Sequence, residues 1–186
     1  MPNWTQNFLR VEGTEAQVKG FDNKFKGKYA IYKDDEDPQD PPPIGKHRCL
    51  NALFPVPKKV TGGKYYSREL GIDGYTWQTS NWGTKWDIDV KEANVEGGQA
   101  DYYFESAWNP PHRWLRKVAS DFPHLKFNLF YINEGGEGAG VYEFRRGVFR
   151  RKEFTNDLAE MREMGAKERC LDWKWFPDYE EEDEVE

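Results

Sequence analysis

The chain has 186 residues, of which 37% are hydrophobic and 32% charged, and a formal net charge of −6. Eight Trp, ten Tyr and twelve Phe provide enough large buriable surface to favour one folded domain with an aromatic core over a disordered chain. The sequence has no apolar run long enough to span a bilayer, no signal-peptide pattern at its start and no close-spaced cysteine pair, so we expect a cytoplasmic protein with reduced thiols.

The first half of the chain predicts a strand, a helix and a long irregular region. Residues 6–12 predict a strand, and residues 14–25 predict an amphipathic helix that begins at a capping threonine. An acidic, proline-rich insertion at about 33–45 predicts an exposed loop. We interpret the short apolar run over 48–54 as extended and residues 58–74 as mostly loop.

The second half predicts a hairpin, a helix and further strands. Residues 86–92 alternate between apolar and polar side chains, and residues 101–107 follow after a glycine turn, which indicates a hairpin. The motif NPPHRW predicts a helix start capped by Asn109, with apolar residues following at helical spacing. The remaining predicted elements are strands over 125–132 and 140–151 and a helix over 156–167.

This order, β–α–β–β–α–β with an added strand and helix, is typical of an α+β ferredoxin-like domain. Such a domain has an antiparallel sheet with its helices packed on one face. We therefore predict a single domain over residues 1–168, followed by an acidic C-terminal tail over 169–186.

The window SNWGTKWDID, near the middle of the chain, allows three interpretations. In the first, Trp82 and Trp86 fill the space between sheet and helix. In the second, exposed indoles form a stacking platform for a nucleotide or peptide, with Lys85 and Asp87 binding its polar groups. In the third, Asp87 and Asp89 bind a cation, although two carboxylates supply fewer oxygen ligands than a hard cation requires.

The motif AWNPPHRW is interpreted either as a strand-to-helix connector or as an anion site. As a connector, it packs Trp108 beneath the helix start. As an anion site, it presents the helix N-terminus with His112 and Arg113 beside it. A general base needs an orienting partner, and neither His47 nor His124 lies in a motif that supplies one. We assign no catalytic residue, no metal ligand and no cofactor.

Charge is concentrated in two segments. The basic patch FRRGVFRRKEF either contacts a nucleic-acid backbone or is a solvated edge strand that its charges protect from self-association. Its positive residues are Arg145, Arg146, Arg150, Arg151 and Lys152. The acidic tail is either a solubilising extension, a mask for the basic patch or a contact for a basic partner surface. Its candidate partner-binding residues are Asp178, Glu180, Glu181, Glu182, Asp183 and Glu184.

The segments MPNW, LNALFPVP, NWGTKWD, FESAWNPPHRWL and FPHLKFNLFYINEGGEGAGVYEF together resemble the YubB-like family of phage and plasmid proteins. The similarity runs in pieces over residues 1–144, and the acidic insertion and tail depart from it. The resemblance implies a ferredoxin-like domain and a mobile-element origin. It implies no catalytic residues, because the family has no established activity.

These observations favour a non-enzymatic interaction protein of a phage or other mobile element. We expect it to bind a host protein, such as a defence protein, in the bacterial cytoplasm and to inhibit or redirect it. One alternative is a nucleotide-like small-ligand site built from Trp82, Lys85, Trp86 and Trp108. Another is nucleic-acid binding through residues 145–152.

Overall fold

The strands and helices are described for residues 3–32, 45–65, 73–134 and 138–154 in a computed structural model of the chain. The strands are β1 (Trp4–Glu12), β2 (Lys26–Gly27), β3 (His47–Arg48), β4 (Val90–Glu96), β5 (Gln99–Ala107), β6 (Lys126–Asn133), β7 (Ala139–Arg145) and β8 (Val148–Phe154). The helices are α1 (Glu15–Phe25), α2 (Leu50–Leu53), α3 (Lys58–Thr61), α4 (Gly74–Asn81) and α5 (His112–Asp121).

A six-stranded antiparallel sheet forms the centre of the described residues. Its strand order is β4-β5-β1-β6-β7-β8, while β2 and β3 pair separately as a short ribbon. The first four strands, with α1 and α5 as connections, have the order of a ferredoxin-like domain. The hairpin β7–β8 extends that sheet by two strands at the side of β6. The predicted α+β ferredoxin-like fold is therefore confirmed.

The core lies on the face of the sheet that α1 and α5 cover. Leu9 and Val11 of β1 point into it and are fully buried, whereas the intervening Arg10 lies on the other face and pairs with Asp101 at 2.8 Å. The core is largely aromatic, with rings such as Phe21 packing edge-on against strand residues. The helix residues buried in it include Val18, Phe21 and Phe25 of α1 and Trp114, Leu115, Val118 and Ala119 of α5.

The predicted start of α1 is confirmed by its capping contacts. The Thr14 hydroxyl accepts a hydrogen bond from the backbone N–H of Gln17, and the Gln17 side chain accepts one from the backbone N–H of Thr14. This reciprocal pair satisfies two donors that a helix start would otherwise leave unpaired. The cap depends only on residues three apart, which is why the sequence reveals it.

Three local predictions are wrong. Residues 50–53 form α2 rather than an extended run, and α4, over residues 74–81, follows the predicted loop in a stretch where the sequence indicated no helix. Strand β4 begins at Val90 rather than at residue 86. Helix α5 begins at His112, with Pro111 in place of Asn109 at its N-cap position. The Asn109 carbonyl instead accepts a hydrogen bond from the Ser106 hydroxyl.

Several predicted segments lie outside the described residues. The chain divides into the units 1–156 and 157–186, and the second lies entirely outside them. Also outside the described residues are the predicted helix over 156–167, Cys170, the acidic tail and most of the acidic insertion. The domain boundary at 168 stays a prediction. No helix in the described ranges is long and apolar enough to cross a membrane.

The carboxylate of Asp87 ties together three segments that are distant in sequence. Its Oδ1 accepts backbone N–H groups from Leu50 at 2.7 Å and from Ile88 at 2.9 Å. Longer contacts of 3.4 Å come from the backbone N–H groups of Asn51 and Ala30. Because Leu50 and Asn51 open α2, Asp87 caps that helix from a remote position. The bond to Ile88 also competes with strand pairing, which explains the late start of β4.

The first prediction concerns the hydrogen bonds that Asp87 accepts. Replacing Asp87 with alanine removes the acceptor of several backbone donors, each of which costs about 1–3 kcal/mol when buried and unpaired. We expect Asp87→Ala to lower the free energy of unfolding, measured by urea denaturation, by more than about 2 kcal/mol. Asp87→Asn keeps one carbonyl oxygen and should lose less. The matched control is Asp89→Ala, whose side chain is 39% exposed, and an equal loss in that control would contradict the assignment.

A second prediction follows from the protonation of Asp87. Burial raises the pKa of this carboxyl from 3.8 to about 7, against the lowering effect of its backbone donors. The folded state therefore binds the proton more tightly than the unfolded chain does. Protonation of Asp87 in the folded state therefore contributes stability that is complete below the unfolded pKa and is lost as the pH rises through the folded pKa. We expect the free energy of unfolding to fall over this range in the wild-type protein, and to fall less in Asp87→Asn. Parallel pH profiles for the two proteins would exclude Asp87 as the cause.

Candidate functional site

The window SNWGTKWDID separates into a buried part and a surface part. Trp82 is fully buried, its indole N–H donates to the Phe54 carbonyl at 2.9 Å, and its ring packs edge-on against Trp77. Gly83 follows with a φ of 91°, and a Cβ there would lie 2.9 Å from Nδ1 of His112. A side chain is thus excluded at position 83 by both space and backbone angle. Trp82 belongs to the core rather than to a binding surface.

Aromatic side chains from separate segments meet around Lys85. We call this set the tryptophan patch; it comprises Trp4, Tyr75, Lys85, Trp86 and Trp108. The side chains of Trp4 and Trp108 are 38% and 42% exposed, which is unusual for residues of this size. Ring centroids are 6.0 Å apart both for Trp4 and Trp86 and for Tyr75 and Trp108. The patch is a continuous aromatic surface with one positive charge in it.

The Lys85 ammonium lies in a slot between two indoles. Its Nζ is 4.5 Å from the centroid of the Trp86 ring and 4.8 Å from that of Trp108. Both distances are within the range of a cation–π interaction. The backbone of Lys85 is fixed separately, since its N–H donates to the Ala107 carbonyl at 3.4 Å and its own carbonyl accepts from the Tyr65 hydroxyl at 2.7 Å.

Trp108 is held in an unfavourable backbone conformation. Its φ is 72°, a left-handed value that a bulky side chain rarely adopts. Its backbone N–H donates to the Asn3 carbonyl at 2.8 Å, which fixes the chain just beyond the end of β5. Such conformations cost about 1–3 kcal/mol and concentrate at ligand-binding and other functional sites. The strained residue is also one whose indole is exposed.

The other predicted ligand-binding residues make contacts within the fold. Asp87 ties the three segments described above. His112 stacks on Tyr142 with centroids 5.4 Å apart, and its Nδ1 is 3.1 Å from the Pro110 carbonyl oxygen. Burial lowers the pKa of His112 and favours the neutral ring. Arg113 donates to the Ser80 carbonyl at 3.0 Å.

The two aspartates of the cation interpretation make different contacts. Asp87 accepts backbone donors, while Asp89 lies 3.7 Å from Nδ1 of His47. Across the parts of the chain that the structure describes, no three His, Cys, Asp or Glu residues are grouped so as to hold a metal ion.

The basic patch lies on the hairpin β7–β8 and is divided between the two faces of the sheet. Arg150 pairs with Glu143 and Lys152 with Val141, so these two side chains lie on the face opposite the helices, as does Arg145. Arg151 points to the helix face, where its guanidinium lies 5.6 Å from the Tyr142 ring centroid. Arg146 and Gly147 form the two-residue turn with φ values of 51° and 78°. All five basic side chains are exposed.

Sequence reasoning missed two members of the tryptophan patch, Trp4 and Tyr75. Trp4 pairs with Ala107 across β1 and β5, which brings it beside Trp108. Tyr75 lies on α4, which the sequence did not reveal. Neither residue lies in a local motif with Lys85, so only the strand register and the packing of α4 bring them together.

Comparisons with known proteins agree with the fold. Residues 85–174 match a family model described as the ferredoxin-like domain in Api92-like protein. No curated protein matches the chain. Among solved structures, the crystal structure of the protein Api92 from Yersinia pseudotuberculosis is similar, with a TM-score of 0.60, 8% sequence identity, and coverage of 83% of this chain and 99% of that one. At this identity the likeness shows the fold alone.

The matched region contains Lys85, Trp86 and Trp108, along with strands β4 to β8 and helix α5. The ferredoxin-like domain implied by the sequence resemblance is confirmed, while the assignment to YubB-like phage and plasmid proteins stays a prediction. Over residues 85–174, this chain is similar to the ferredoxin-like domain of Api92-like proteins.

Proposed function

We propose that the protein is a non-enzymatic interaction protein that binds a partner protein through the tryptophan patch. The observation that carries this proposal is Trp108, a 42% exposed indole held at a φ of 72° beside a second exposed indole, Trp4. Exposing these rings has no benefit for the isolated fold, and the backbone at Trp108 is strained. A partner that covers the indoles would supply the compensating burial.

The chemistry of the patch suits protein recognition. Tryptophan, tyrosine and arginine are the residues that most often dominate binding energy at protein interfaces. Trp4 and Trp108 supply large rigid surfaces, and they lose little conformational entropy on binding because their neighbours already hold them. Lys85 adds a positive charge between two of these rings.

Three acidic groups with displaced pKa values support a binding role rather than a catalytic one, because two are hydrogen-bonded within the fold and the third is a buried thiol with a raised pKa. Asp87 accepts backbone donors. Burial raises the pKa of Asp22, but hydrogen bonds from Arg48 and Lys26 outweigh that effect and lower it. Burial and the nearby Asp87 raise the pKa of the Cys49 thiol to about 12, which disfavours the nucleophilic thiolate.

The identity of the partner class rests on the sequence resemblance. Because the segments quoted above resemble phage and plasmid proteins, we propose a host protein in the bacterial cytoplasm, whose activity is inhibited or redirected. The acidic tail, including Asp178 and Glu180–Glu184, is proposed as a second contact for a basic surface of that protein.

The third prediction tests the patch by Trp108→Gly in the full-length protein. Glycine adopts the left-handed backbone without strain, so the free energy of unfolding should change by less than about 1 kcal/mol. Affinity capture from host lysate should recover a stoichiometric partner with the wild-type protein and lose it with this variant.

The matched control is Val148→Ala, which alters a residue that is 53% exposed and lies three strands away from Trp4 in the sheet. This control should retain the partner. Equal recovery with Trp108→Gly and the wild-type protein would remove the patch from the mechanism, and a partner retained after deletion of residues 178–186 would remove the tail.

Nucleic-acid binding is a second candidate function. It is favoured by the exposed side chains of Arg145, Arg150 and Lys152, which lie on one face of the hairpin, Arg145 on β7 and the other two at a spacing of two residues on β8. Such a row of cations suits the phosphate backbone, where each contact releases a counterion. The net charge of the whole chain, −6, is unfavourable for binding a polyanion.

The fourth prediction uses two adjacent arginines that face opposite sides of the hairpin. If the row binds nucleic acid, the wild-type protein should retard DNA or RNA in a gel at low salt, and retardation should weaken as salt rises. Arg150→Glu should abolish it, whereas Arg151→Glu, which reverses the same charge on the helix face, should reduce it less. Equal effects of the two substitutions would point to net charge rather than to this row.

A further inference from the structure

We propose that the slot between Trp86 and Trp108 is a binding site for the ammonium group of a lysine side chain on the partner protein, and that Lys85 occupies this slot in the free protein. The inference rests on the proposed function, because it names the chemical group that the tryptophan patch recognises. In the free protein, the Lys85 ammonium takes the place of the partner's lysine.

The position of the Lys85 ammonium shows that the slot accepts a cation of this size. Nζ is within 5 Å of both ring centroids, at 4.5 Å for Trp86 and 4.8 Å for Trp108. An ammonium group attracted by the faces of several aromatic rings is how proteins recognise alkylammonium ligands in aromatic cages. Two of the walls of such a cage are therefore already in place.

The surroundings of the slot also favour a cation. Trp4 adjoins Trp86, and Tyr75 adjoins Trp108, so two further aromatic rings extend the surface around the slot. The backbone N–H of Trp4 donates to Oε2 of Glu134 at 2.8 Å, which places a carboxylate at the edge of the patch. A carboxylate there attracts a lysine and repels a phosphate or carboxylate ligand. The carboxylate therefore offsets part of the positive charge that Lys85 retains after it leaves the slot.

The hydrogen bonds that hold the backbone on either side of the slot do not involve the Lys85 side chain. The backbone of Lys85 is held by Ala107 and Tyr65 through its own N–H and carbonyl groups. The backbone of Trp108 is held by Asn3. None of these hydrogen bonds involves the Lys85 ammonium, so we expect a shorter side chain at position 85 to leave the backbone at both positions in place and to open the space between the indoles.

Lys85 and a lysine of the partner compete for the same slot. A lysine from a partner enters only when the Lys85 side chain leaves, so the apparent affinity equals the intrinsic affinity multiplied by the fraction of molecules in which the slot is open. Other contacts of the partner with the tryptophan patch offset this loss. Weak binding of isolated lysine groups by the wild-type protein is the expected consequence.

The fifth prediction tests the slot directly with Lys85→Ala in the full-length chain. The probe is a short peptide with blocked termini whose only charged side chain is one lysine, and its control is the same peptide with norleucine in place of lysine. Binding is followed by tryptophan fluorescence and by the NMR signals of the indole N–H groups. Lys85→Ala should bind the lysine peptide at least roughly tenfold more tightly than the wild-type protein does.

The norleucine peptide should not bind, and the double variant Lys85→Ala, Trp108→Gly should bind neither peptide. Thermal unfolding of each variant confirms that it is folded. Failure of folded Lys85→Ala to bind the lysine peptide would overturn the inference, and so would equal binding of the norleucine peptide, because the slot would then recognise apolar surface rather than charge.

The outcome also separates this inference from the proposed function. If capture of the partner depends on Trp108 but the lysine peptide does not bind Lys85→Ala, only the assignment of the ligand fails. If Trp108→Gly captures the partner as well as the wild-type protein does, the proposed function fails whatever the peptide result.

Discussion

The carboxylate of Asp87 is the interaction on which the arrangement of the surface depends. It accepts backbone N–H groups from the segment after α1, from the first turn of α2 and from its own neighbour Ile88. These groups belong to segments up to 57 residues apart. Without a common acceptor, their donors would lie unpaired beneath the surface, and unpaired buried donors are costly. The tie also holds the chain immediately after Lys85 and Trp86, two members of the tryptophan patch.

Two of the tryptophans in the described residues are buried, and the fold supplies an acceptor for each of their indole N–H groups. Trp82 and Trp114 are fully buried, and each donates to a backbone carbonyl, Phe54 for the first and Leu50 for the second. Burial therefore leaves neither indole N–H unpaired. Trp4 and Trp108 remain exposed instead, at one end of the pair β1–β5. The same residue type thus serves both the core and the surface.

The described residues separate bonded or buried reactive groups from exposed aromatic and charged side chains. The interior holds the groups whose charge or reactivity would otherwise be available for chemistry, with Asp22, Asp87 and Cys49 all occupied or buried there. The exterior presents exposed rings and a charged edge strand, β8, which is the last strand of the sheet in the described residues. Charges along such an edge oppose pairing with a second sheet. We propose the tryptophan patch and the cationic face of the hairpin as the surfaces available for recognition.

The sequence by itself determined the fold class, the capped start of α1, the hairpin β4–β5 and the aromatic character of the core. Those features follow from periodicity and from contacts between residues a few positions apart, which any reader of the chain can count. Only the tertiary structure decided that α4 forms, that β4 begins after Asp87, that Trp82 is buried and that Trp108 is exposed. It also decided that Trp4 and Tyr75 join Lys85, because strand register and helix packing bring together residues that no local pattern relates. Local patterns record the neighbours of a residue along the chain, whereas a binding surface is made by neighbours in space.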